Sequence, residues 1–379
     1  MKKVMFFDLN IIGIGRYPLQ IANEINKKNN EVYFYFLYEE DPDNKLEEIS
    51  LKLPQNSEVI KIKKPNYKYL KQLMQTINPE SFLVMAQRVP DNALVTIANE
   101  LNIKTFKFQH GLYIPFMKRD ISMFISKVTK IVRYIQYALV VAQSTKYNKF
   151  KMVKEYINIF LKGKKITATN FPLEKINAKT VFVYGEYWKE YHKEEYGYSI
   201  EQQIIVGYPD LAQLATIKQK PQEDAVCYIC QTLVEDGRLP REQMLQFVEL
   251  LAQNISDTKL YVKLHPRSDM TLYEALKGKK NIVFCKIDFP YTTKYVGHYS
   301  SMLAISMYIT DEVFLWNFNK HSEYPFYLVE NAKELSNDEN KLIFFLENKK
   351  YFKKNVTNNI GQYFYIDKNP IAKVGFRLV

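Results

Sequence analysis

Stretches typical of β-strands alternate with stretches of helical periodicity along this chain, and the alternation starts afresh near residue 225. In the first half, the strand-like EVYFYFLY and SFLVMAQR precede the helix-like NALVTIANELN. In the second half, the strand-like AVCYICQTL and KLYVKLHP flank the helix-like REQMLQFVELLAQNI. Parallel strands need crossovers of a dozen or more residues, and these intervals are long enough. The pattern predicts α/β architecture with mostly parallel sheets covered by helices.

The length of 379 residues also suits two domains better than one core. We predict an N-terminal Rossmann-like domain over 1–208, a polar linker over 209–224, and a C-terminal Rossmann-like domain over 225–379. Ligands of such sheets bind at the carboxyl ends of the strands, where loops converge. We therefore expect two domains that face each other across a binding cleft.

A long, basic stretch of helical periodicity, residues 121–165, interrupts the first alternation. It is either a pair of surface helices with lysines on the wet face or a surface that rests on anionic lipid. The net charge of +12 favours an anionic partner. Because no signal peptide and no run of about 20 apolar residues is found, we expect a cytoplasmic protein that meets a membrane only peripherally.

The three cysteines are Cys227, Cys230 and Cys285. Cys227 and Cys230 form a C-x-x-C inside the apolar run AVCYICQTL, without further zinc ligands at a matching spacing. We predict buried strand thiols rather than a zinc site or a disulfide.

Four short polar motifs follow predicted strands. They are His110 in FQHGLY, Glu235, Asp236 and Gly237 in VEDGRLP, His265, Pro266 and Arg267 in KLHPRSD, and Ser300 and Ser301 in GHYSSML. The last three motifs belong to the second half, where they follow strands of one predicted sheet. Because parallel strands end at a common edge, we expect these three motifs to converge.

Each motif has a chemical and a purely structural interpretation. Adjacent carboxylates can raise each other's pKa until one accepts a proton near neutral pH, yet an acidic pair before Gly237 is also a common solvated turn. His265 can give a proton to an anionic leaving group, with Pro266 fixing the backbone that aims it. Ser300 and Ser301 either bind a phosphate at a helix start or simply cap that helix.

Together, a carboxylate base, a histidine and a serine pair are the parts needed for transfer from a nucleotide donor. The chain lacks G-x-x-x-x-G-K-[ST], and it lacks G-x-G-x-x-G after a strand, which argues against ATP or NAD. The one D-x-D, DPD at 41–43, lies in a polar loop and does not indicate a metal site. We expect chemistry without an obligatory metal or cofactor, and His110 either faces the cleft or is an ordinary turn histidine.

The order of EDG at 235–237, HP at 265–266 and SS at 300–301 resembles the bacterial sialyltransferases of the GT-B fold. These include the lipooligosaccharide sialyltransferases and the capsular polysialyltransferases. The resemblance implies a CMP-sialic acid donor, inversion at the sugar carbon and no metal. It also implies that an acid of EDG is the base, that His265 assists departure of CMP, and that the serines hold its phosphate. Gly237, Pro266 and Arg267 would belong to the same donor site, so that the C-terminal domain would bind the nucleotide-sugar donor and the N-terminal domain the acceptor.

Three alternatives stay open. QHG, KLHP and YSS also resemble CDP-glycerol glycerophosphotransferases, in which His110 would be the base, although EDG favours sialyl transfer. The net charge favours a capsular α-2,8-polysialyltransferase over a lipooligosaccharide sialyltransferase that adds a single sialic acid, because a polymeric acceptor carries one carboxylate per sugar. A non-catalytic, basic polyanion- or membrane-surface-binding protein is the third alternative.

The resemblance also predicts partners. They are CMP-sialic acid, an oligo- or polysialic acid acceptor, the cytoplasmic face of the inner membrane and capsule-assembly proteins, but not nucleic acid.

Overall fold

The computed structural model describes residues 1–41, 44–109, 128–162, 165–255, 258–318, 324–347 and 359–379. These residues divide into two compact units. The first unit contains the described residues of 1–209 together with 367–379, and the second contains the described residues between 210 and 366. The two units are described separately below.

The first unit is built on a seven-stranded, all-parallel sheet with the strand order β3-β2-β1-β4-β5-β6-β7. Its strands are β1 Lys2–Phe7, β2 Val32–Tyr38, β3 Ser57–Lys61, β4 Ser81–Val84, β5 Lys104–Phe108, β6 Thr180–Val183 and β7 Gln203–Ile205. The central strands are near-continuous apolar runs, which is typical of parallel strands buried on both faces. Val4, Met5, Phe6 and Phe7 of β1, for example, are all fully buried.

Nine α-helices of the first unit precede β7 in the described ranges. They are α1 Ile11–Ile14, α2 Tyr17–Lys28, α3 Leu46–Ser50, α4 Tyr67–Ile77, α5 Val89–Glu100, α6 Val128–Thr145, α7 Lys149–Lys162, α8 Leu173–Ile176 and α9 Glu186–Tyr196, with 3₁₀ turns at Ile166–Ala168 and Ile200–Gln202. The described part of the predicted basic segment forms α6 and α7, which confirms a helical pair there. Among the described residues, no helix has the length and apolarity needed to cross a membrane.

The second unit is built on a six-stranded, all-parallel sheet with the strand order β10-β9-β8-β11-β12-β13. Its strands are β8 Glu223–Ile229, β9 Leu260–Lys263, β10 Ile282–Cys285, β11 Thr292–Gly297, β12 Val313–Trp316 and β13 Glu334–Ser336. Its described α-helices are α10 Leu214–Ile217, α11 Arg241–Gln253, α12 Leu303–Ile309, α13 Phe326–Asn331, α14 Glu339–Glu347 and α15 Ile360–Tyr363. The stretch TLYEALKGK at 271–279, whose pattern predicts an α-helix, instead begins within a 3₁₀ helix, Met270–Leu276, and Gly278 follows with a φ of 88°.

The predicted domain limits need two corrections. Residues 209–224 are not an extended linker, because Leu211, Leu214 and Ile217 are buried and the segment forms a 3₁₀ turn, Pro209–Gln213, and α10. The last helix, α16 Pro370–Leu378, was assigned to the C-terminal domain but belongs to the first unit.

Its apolar side explains the position of α16. Val374 and Leu378 are buried, and the hydroxyl of Ser81 donates to the carbonyl oxygen of Leu378 at 2.6 Å. Gly375 lets α16 approach α2 closely, since a Cβ there would lie 3.0 Å from the Ile25 side chain. Burial of this apolar stripe fixes the helix on the first unit.

Both sheets reverse their direction of growth after the third strand. In the first sheet β1, β2 and β3 extend to one side and β4 begins the other, and in the second sheet β8, β9 and β10 are followed by β11 on the opposite side. The carboxyl ends of β1 and β4, and of β8 and β11, are therefore topological switch points. Open α/β sheets bind their ligands at such points.

Candidate functional site

The three motifs of the second half follow β8, β9 and β11, which are immediate neighbours in the sheet. Glu235–Gly237 lies beyond the end of β8 at Ile229, His265–Arg267 beyond the end of β9 at Lys263, and Ser300–Ser301 beyond the end of β11 at Gly297. All three therefore stand at one carboxyl edge, beside the switch point of the second sheet.

The EDG segment is a tight turn. The backbone N–H of Asp236 donates to the carbonyl oxygen of Thr232 at 2.9 Å, and that of Arg238 donates to Leu233 at 2.7 Å. Gly237 has a φ of 67°, while an added Cβ would meet nothing within 4 Å. Glycine is therefore needed here for its left-handed backbone and not for space.

The two carboxylates of this turn have different partners. Oε1 of Glu235 accepts from the backbone N–H of Asp269 at 3.1 Å, and its Oε2 is buried without a partner among the described residues. Asp236 is exposed, and its Oδ2 accepts from the Thr232 hydroxyl at 3.1 Å. Two guanidiniums also approach Asp236, that of Arg238 at 3.8 Å and that of Arg267 at 3.7 Å.

His265 is oriented by its own loop. Its Nδ1 accepts from the backbone N–H of Arg267 at 3.1 Å, and its carbonyl oxygen accepts from the N–H of Ser268 at 2.9 Å. A neutral ring with Nδ1 as acceptor carries its proton on Nε2. Nε2 is therefore the atom through which His265 can donate a hydrogen bond.

Arg267 connects the loops that follow β8 and β9. Its guanidinium donates to the Thr232 hydroxyl at 3.1 Å and lies beside Asp236, while Pro266 is exposed next to it. The loop after β9 is also held by Lys263, whose ammonium donates to the carbonyl oxygens of Lys286 at 2.7 Å and Ile287 at 3.3 Å. Burial lowers the pKa of Lys263.

The serine pair forms the turn that leads into α12. The Ser300 hydroxyl accepts from the N–H of Met302 at 3.2 Å, and the carbonyl oxygens of Ser300 and Ser301 each accept a backbone N–H, at 3.1 Å, from Leu303 and Ala304. The α-helix begins at Leu303, two residues beyond the predicted start. Both serine side chains are half-buried.

A buried histidine beneath the serine turn has no role in the sequence analysis. Nε2 of His298 lies 2.7 Å from the Tyr228 hydroxyl and its Nδ1 lies 2.8 Å from the carbonyl oxygen of Trp316. Since a carbonyl only accepts, Nδ1 donates and Nε2 accepts from the tyrosine. Burial lowers the pKa of His298 to about 4, so the ring is neutral and ties β8, β11 and β12 together. Its place in GHYSSML was the only signal for it.

Several buried polar atoms at this edge lack a partner within the described ranges. They are Oε1 of Gln231, Oε2 of Glu235 and Oγ of Ser268. Buried polar groups in native structures are nearly always hydrogen-bonded, so a group of exceptions indicates bonds that a ligand completes. Gln231 lies four residues before Glu235 and Ser268 directly follows Arg267, and neither was singled out from the sequence.

Two further predictions concern residues other than the three motifs: the cysteines and His110. Cys227 and Cys230 are free, buried strand-end thiols, as predicted, and burial raises the pKa of Cys230 to about 12. His110 lies outside the described residues. Just before it, Gln109 is buried, and its Oε1 accepts from the backbone N–H of Tyr184 at 3.0 Å.

Two Rossmann-like units with parallel sheets of this kind are the GT-B fold, the architecture of a large class of glycosyltransferases. Solved structures with this fold are similar to the chain. They include the wall teichoic acid polymerase TagF, with a TM-score of 0.57, 11% identity, and coverage of 100% of this chain and 88% of that one. The UDP-GlcNAc 2-epimerase of Neisseria meningitidis has a TM-score of 0.54, 13% identity, and coverage of 100% and 99%. The UDP-GlcNAc 2-epimerase of Methanocaldococcus jannaschii has a TM-score of 0.52, 12% identity, and coverage of 100% and 99%.

The family of the chain follows from a comparison of its sequence with protein-family models. A family model described as alpha-2,8-polysialyltransferase matches residues 17–290, which is most of the chain. The chain belongs to the alpha-2,8-polysialyltransferase family and is a sialyltransferase. A search of curated protein sequences gives no match.

Proposed function

We propose that this protein transfers sialic acid from CMP-sialic acid to the end of an oligo- or polysialic acid chain, at the carboxyl edge of β9, β8 and β11. The observation that carries the proposal is the convergence of three motifs on these neighbouring strands, in a chain of the polysialyltransferase family. The transfer is inverting and needs neither metal nor cofactor. The roles of the residues follow from their contacts.

The leaving group is CMP, and its phosphate gains charge as the bond to C2 of the sugar breaks. The N–H at Nε2 of His265 donates a hydrogen bond to a phosphate oxygen, because its Nδ1 is occupied by the N–H of Arg267. The Ser300 and Ser301 hydroxyls and the Arg267 guanidinium stabilise the same phosphate. Preorganised donors of this kind lower the barrier because they are in place before the charge develops.

The acceptor hydroxyl attacks C2 and loses its proton to a carboxylate of the EDG turn. The contacts support Glu235 as this base, because its Oε2 is buried and has no partner among the described residues. Asp236 instead contacts Thr232, Arg238 and Arg267, so it orients the phosphate-binding arginine. One bond forms, between the acceptor oxygen and C2, and one breaks, between C2 and the phosphate oxygen; the acceptor proton passes to Glu235, and CMP leaves as an anion that the phosphate-binding donors stabilise.

A second proposal concerns location. We propose that the protein works at the cytoplasmic face of the inner membrane, with capsule-assembly proteins as partners. In α7, Phe150 is 89% exposed and stands between the exposed Lys149 and Lys151, with Lys154 one turn further along. An aromatic side chain among lysines is typical of helices that lie on anionic lipid.

Transfer of glycerol phosphate from CDP-glycerol is the second candidate reaction. The structural similarity to TagF favours it, although identity at that level shows only the fold. His110 would be its base. The EDG turn and the family match favour sialyl transfer instead.

The test is a donor panel. CMP-sialic acid and CDP-glycerol are compared as donors, and CMP release is measured with oligosialic acid present. We expect release from CMP-sialic acid that depends on the acceptor, with Glu235→Gln losing at least about a hundredfold in kcat and Asp236→Asn losing less. Turnover of CDP-glycerol alone, or full activity in Glu235→Gln, Asp236→Asn and His265→Ala, would overturn the proposal.

A further inference from the structure

A second group of charged side chains stands at the switch point of the first sheet. The group, called here the first-unit cluster, contains Asp8, Glu39, Glu40, Arg88, Asp91 and Arg133. Asp8 follows β1, the two glutamates follow β2, and Arg88 lies between β4 and α5. The cluster therefore occupies the edge that corresponds, in the first sheet, to the donor site of the second.

Arg88 connects the two aspartates of the cluster. Its Nε lies 2.7 Å from Oδ2 of Asp91, and its Nη2 lies 3.1 Å from Oδ1 of Asp91 and 3.3 Å from Oδ1 of Asp8. Asp91 is fully buried and Asp8 is 5% exposed. Gly13 packs against the Asp8 carboxylate, since a Cβ at position 13 would lie 2.4 Å from Cγ of Asp8. This half of the cluster is closed on itself.

Glu39 forms the half that is incomplete. Its side chain is 3% exposed, and Oε2 lies 3.1 Å from Nη1 of Arg133, which also lies 2.6 Å from Oε1 of Glu40. Oε1 of Glu39 is buried and has no partner in the part of the chain that the structure describes. Burial raises the pKa of Glu39 to about 7, against the opposing charge of Arg133. A buried carboxylate oxygen without a bond indicates a ligand that supplies one.

The surroundings of Glu39 restrict the kind of ligand. Four carboxyl groups face two guanidiniums in the cluster, which disfavours an anionic group. Calcium prefers six to eight oxygen ligands, whereas several of these oxygens already bind Arg88 or Arg133. A hydroxyl both donates and accepts, so it suits one carboxyl oxygen in either protonation state.

We infer that Oε1 of Glu39 binds a hydroxyl group of the glycan acceptor, so that the Glu39 carboxyl group, rather than the first-unit cluster as a whole, is an acceptor subsite. The inference rests on the proposed function, since it takes the acceptor to be a sialic acid oligomer. Asp8, Arg88 and Asp91 act as positioning residues that hold the loops after β1 and β4. Arg133 holds the Glu39 carboxylate in place.

Direct binding of a short oligosialic acid by calorimetry tests the subsite on the full chain. Glu39→Met removes both oxygens at similar length, and we expect its Kd to rise about tenfold or more. Glu39→Gln, which keeps a polar group beside Arg133, should recover most of this loss. Glu40→Gln is the matched control, since it alters the other carboxylate on Arg133, and its Kd should stay within about twofold.

The pH dependence of Kd tests the same contact with the wild type and the conservative variant Glu39→Gln alone. The charged groups that act on the Glu39 carboxyl group in the described residues are Arg133, Glu40 and Arg88, and all of them remain in Glu39→Gln. An ionised carboxylate accepts the stronger hydrogen bond, so wild-type Kd should fall from pH 6 to pH 8. That fall should be absent in Glu39→Gln, which decides the matter even where Glu39→Met does not fold.

Unchanged binding by Glu39→Met, an equal loss in Glu40→Gln, or a wild-type pH dependence kept in Glu39→Gln would overturn the inference. Release of CMP from CMP-sialic acid without acceptor should not change in any of these variants, and a parallel loss there would also contradict it. Failure of the proposed function is distinguishable, because then the wild type itself does not turn over CMP-sialic acid, whatever Glu39 binds.

Discussion

The two sheets place charged side chains at equivalent edges in contrasting ways. In the first unit, Asp8, Asp91 and Glu39 are buried and held by arginines, whereas in the second unit Asp236 and Arg267 are exposed. Breaking a buried ion pair costs far more than breaking an exposed one. The first edge is therefore held by buried ion pairs, and the second by exposed ones. Substitutions should affect stability at the first edge and rate at the second.

The largest effect should come from His265→Ala at the exposed edge. Loss of one preorganised hydrogen-bond donor to a leaving group costs about 10²- to 10³-fold in rate, so kcat for CMP release should fall by that factor. The melting temperature should hardly move, because His265 is only half-buried and lies in a loop. A kcat within tenfold of wild type, or a large drop in melting temperature, would contradict the expectation that substitutions at this edge affect rate rather than stability.

Asp91→Asn should give the largest effect on stability at the buried edge. It removes the charge that the Arg88 guanidinium faces at 2.7 Å, in a fully buried position. Breaking a buried pair costs about 3–5 kcal/mol in the free energy of unfolding, measured by chemical denaturation. Glu100→Gln, which alters an exposed pair with Lys71, is the control and should cost far less. Equal losses in the two variants would show that Arg88 is not held as described.

Glu39 should make stability depend on pH. Its folded pKa of about 7 lies above the usual value, so the folded protein binds one more proton between about pH 4.5 and 7. Its contribution to stability is present below that range and is lost as pH rises to 7, with a slope of at most about 1.4 kcal/mol per pH unit.

The measurement is the free energy of unfolding at pH 5, 6, 7 and 8 in the wild type and in Glu39→Gln. The difference between the two should change with pH up to about 7 and then level off. A difference that is constant over the whole series would contradict burial of this carboxyl group.

The smallest effect should come from Gly237→Ala in the EDG turn. The left-handed backbone conformation costs a residue with a Cβ about 1 kcal/mol of stability. No atom lies within 4 Å of a Cβ added at position 237, so no clash increases this cost. Gly237→Asn should cost less, since asparagine tolerates this backbone. Denaturation midpoints measure both, and a cost well above 2 kcal/mol for alanine would mean that the turn packs more tightly than it does here.

Local sequence was sufficient for much of the fold. YPLQIANEINKK predicts the residues of α2, and KKVMFF predicts β1, because the apolar periodicity of each is strong. The three motifs of the second half were placed correctly after strands. The same approach placed α12 two residues early and took 209–224 for a linker, since burial of Leu211 and Ile217 depends on contacts that are distant in sequence.

The buried edge of the first unit was not predicted at all. Asp8, Glu39 and Arg88 occur in ordinary polar loop sequences, and nothing nearby shows that they meet. Their contact depends on the pairing of β1 with both β2 and β4, over more than 70 residues of chain. Likewise, the tautomer of His298 follows from Tyr228 and Trp316, which lie on other strands.

Periodicity within short windows thus set the class of the fold and the points at which strands end. It could do so because the alternation of apolar side chains is a local property. Which ends lie side by side depends on backbone hydrogen bonds between strands far apart along the chain, and only the folded sheets establish them. The same pairing decided which carboxylates became buried, and so which edge is held by buried ion pairs and which exposes its charged side chains.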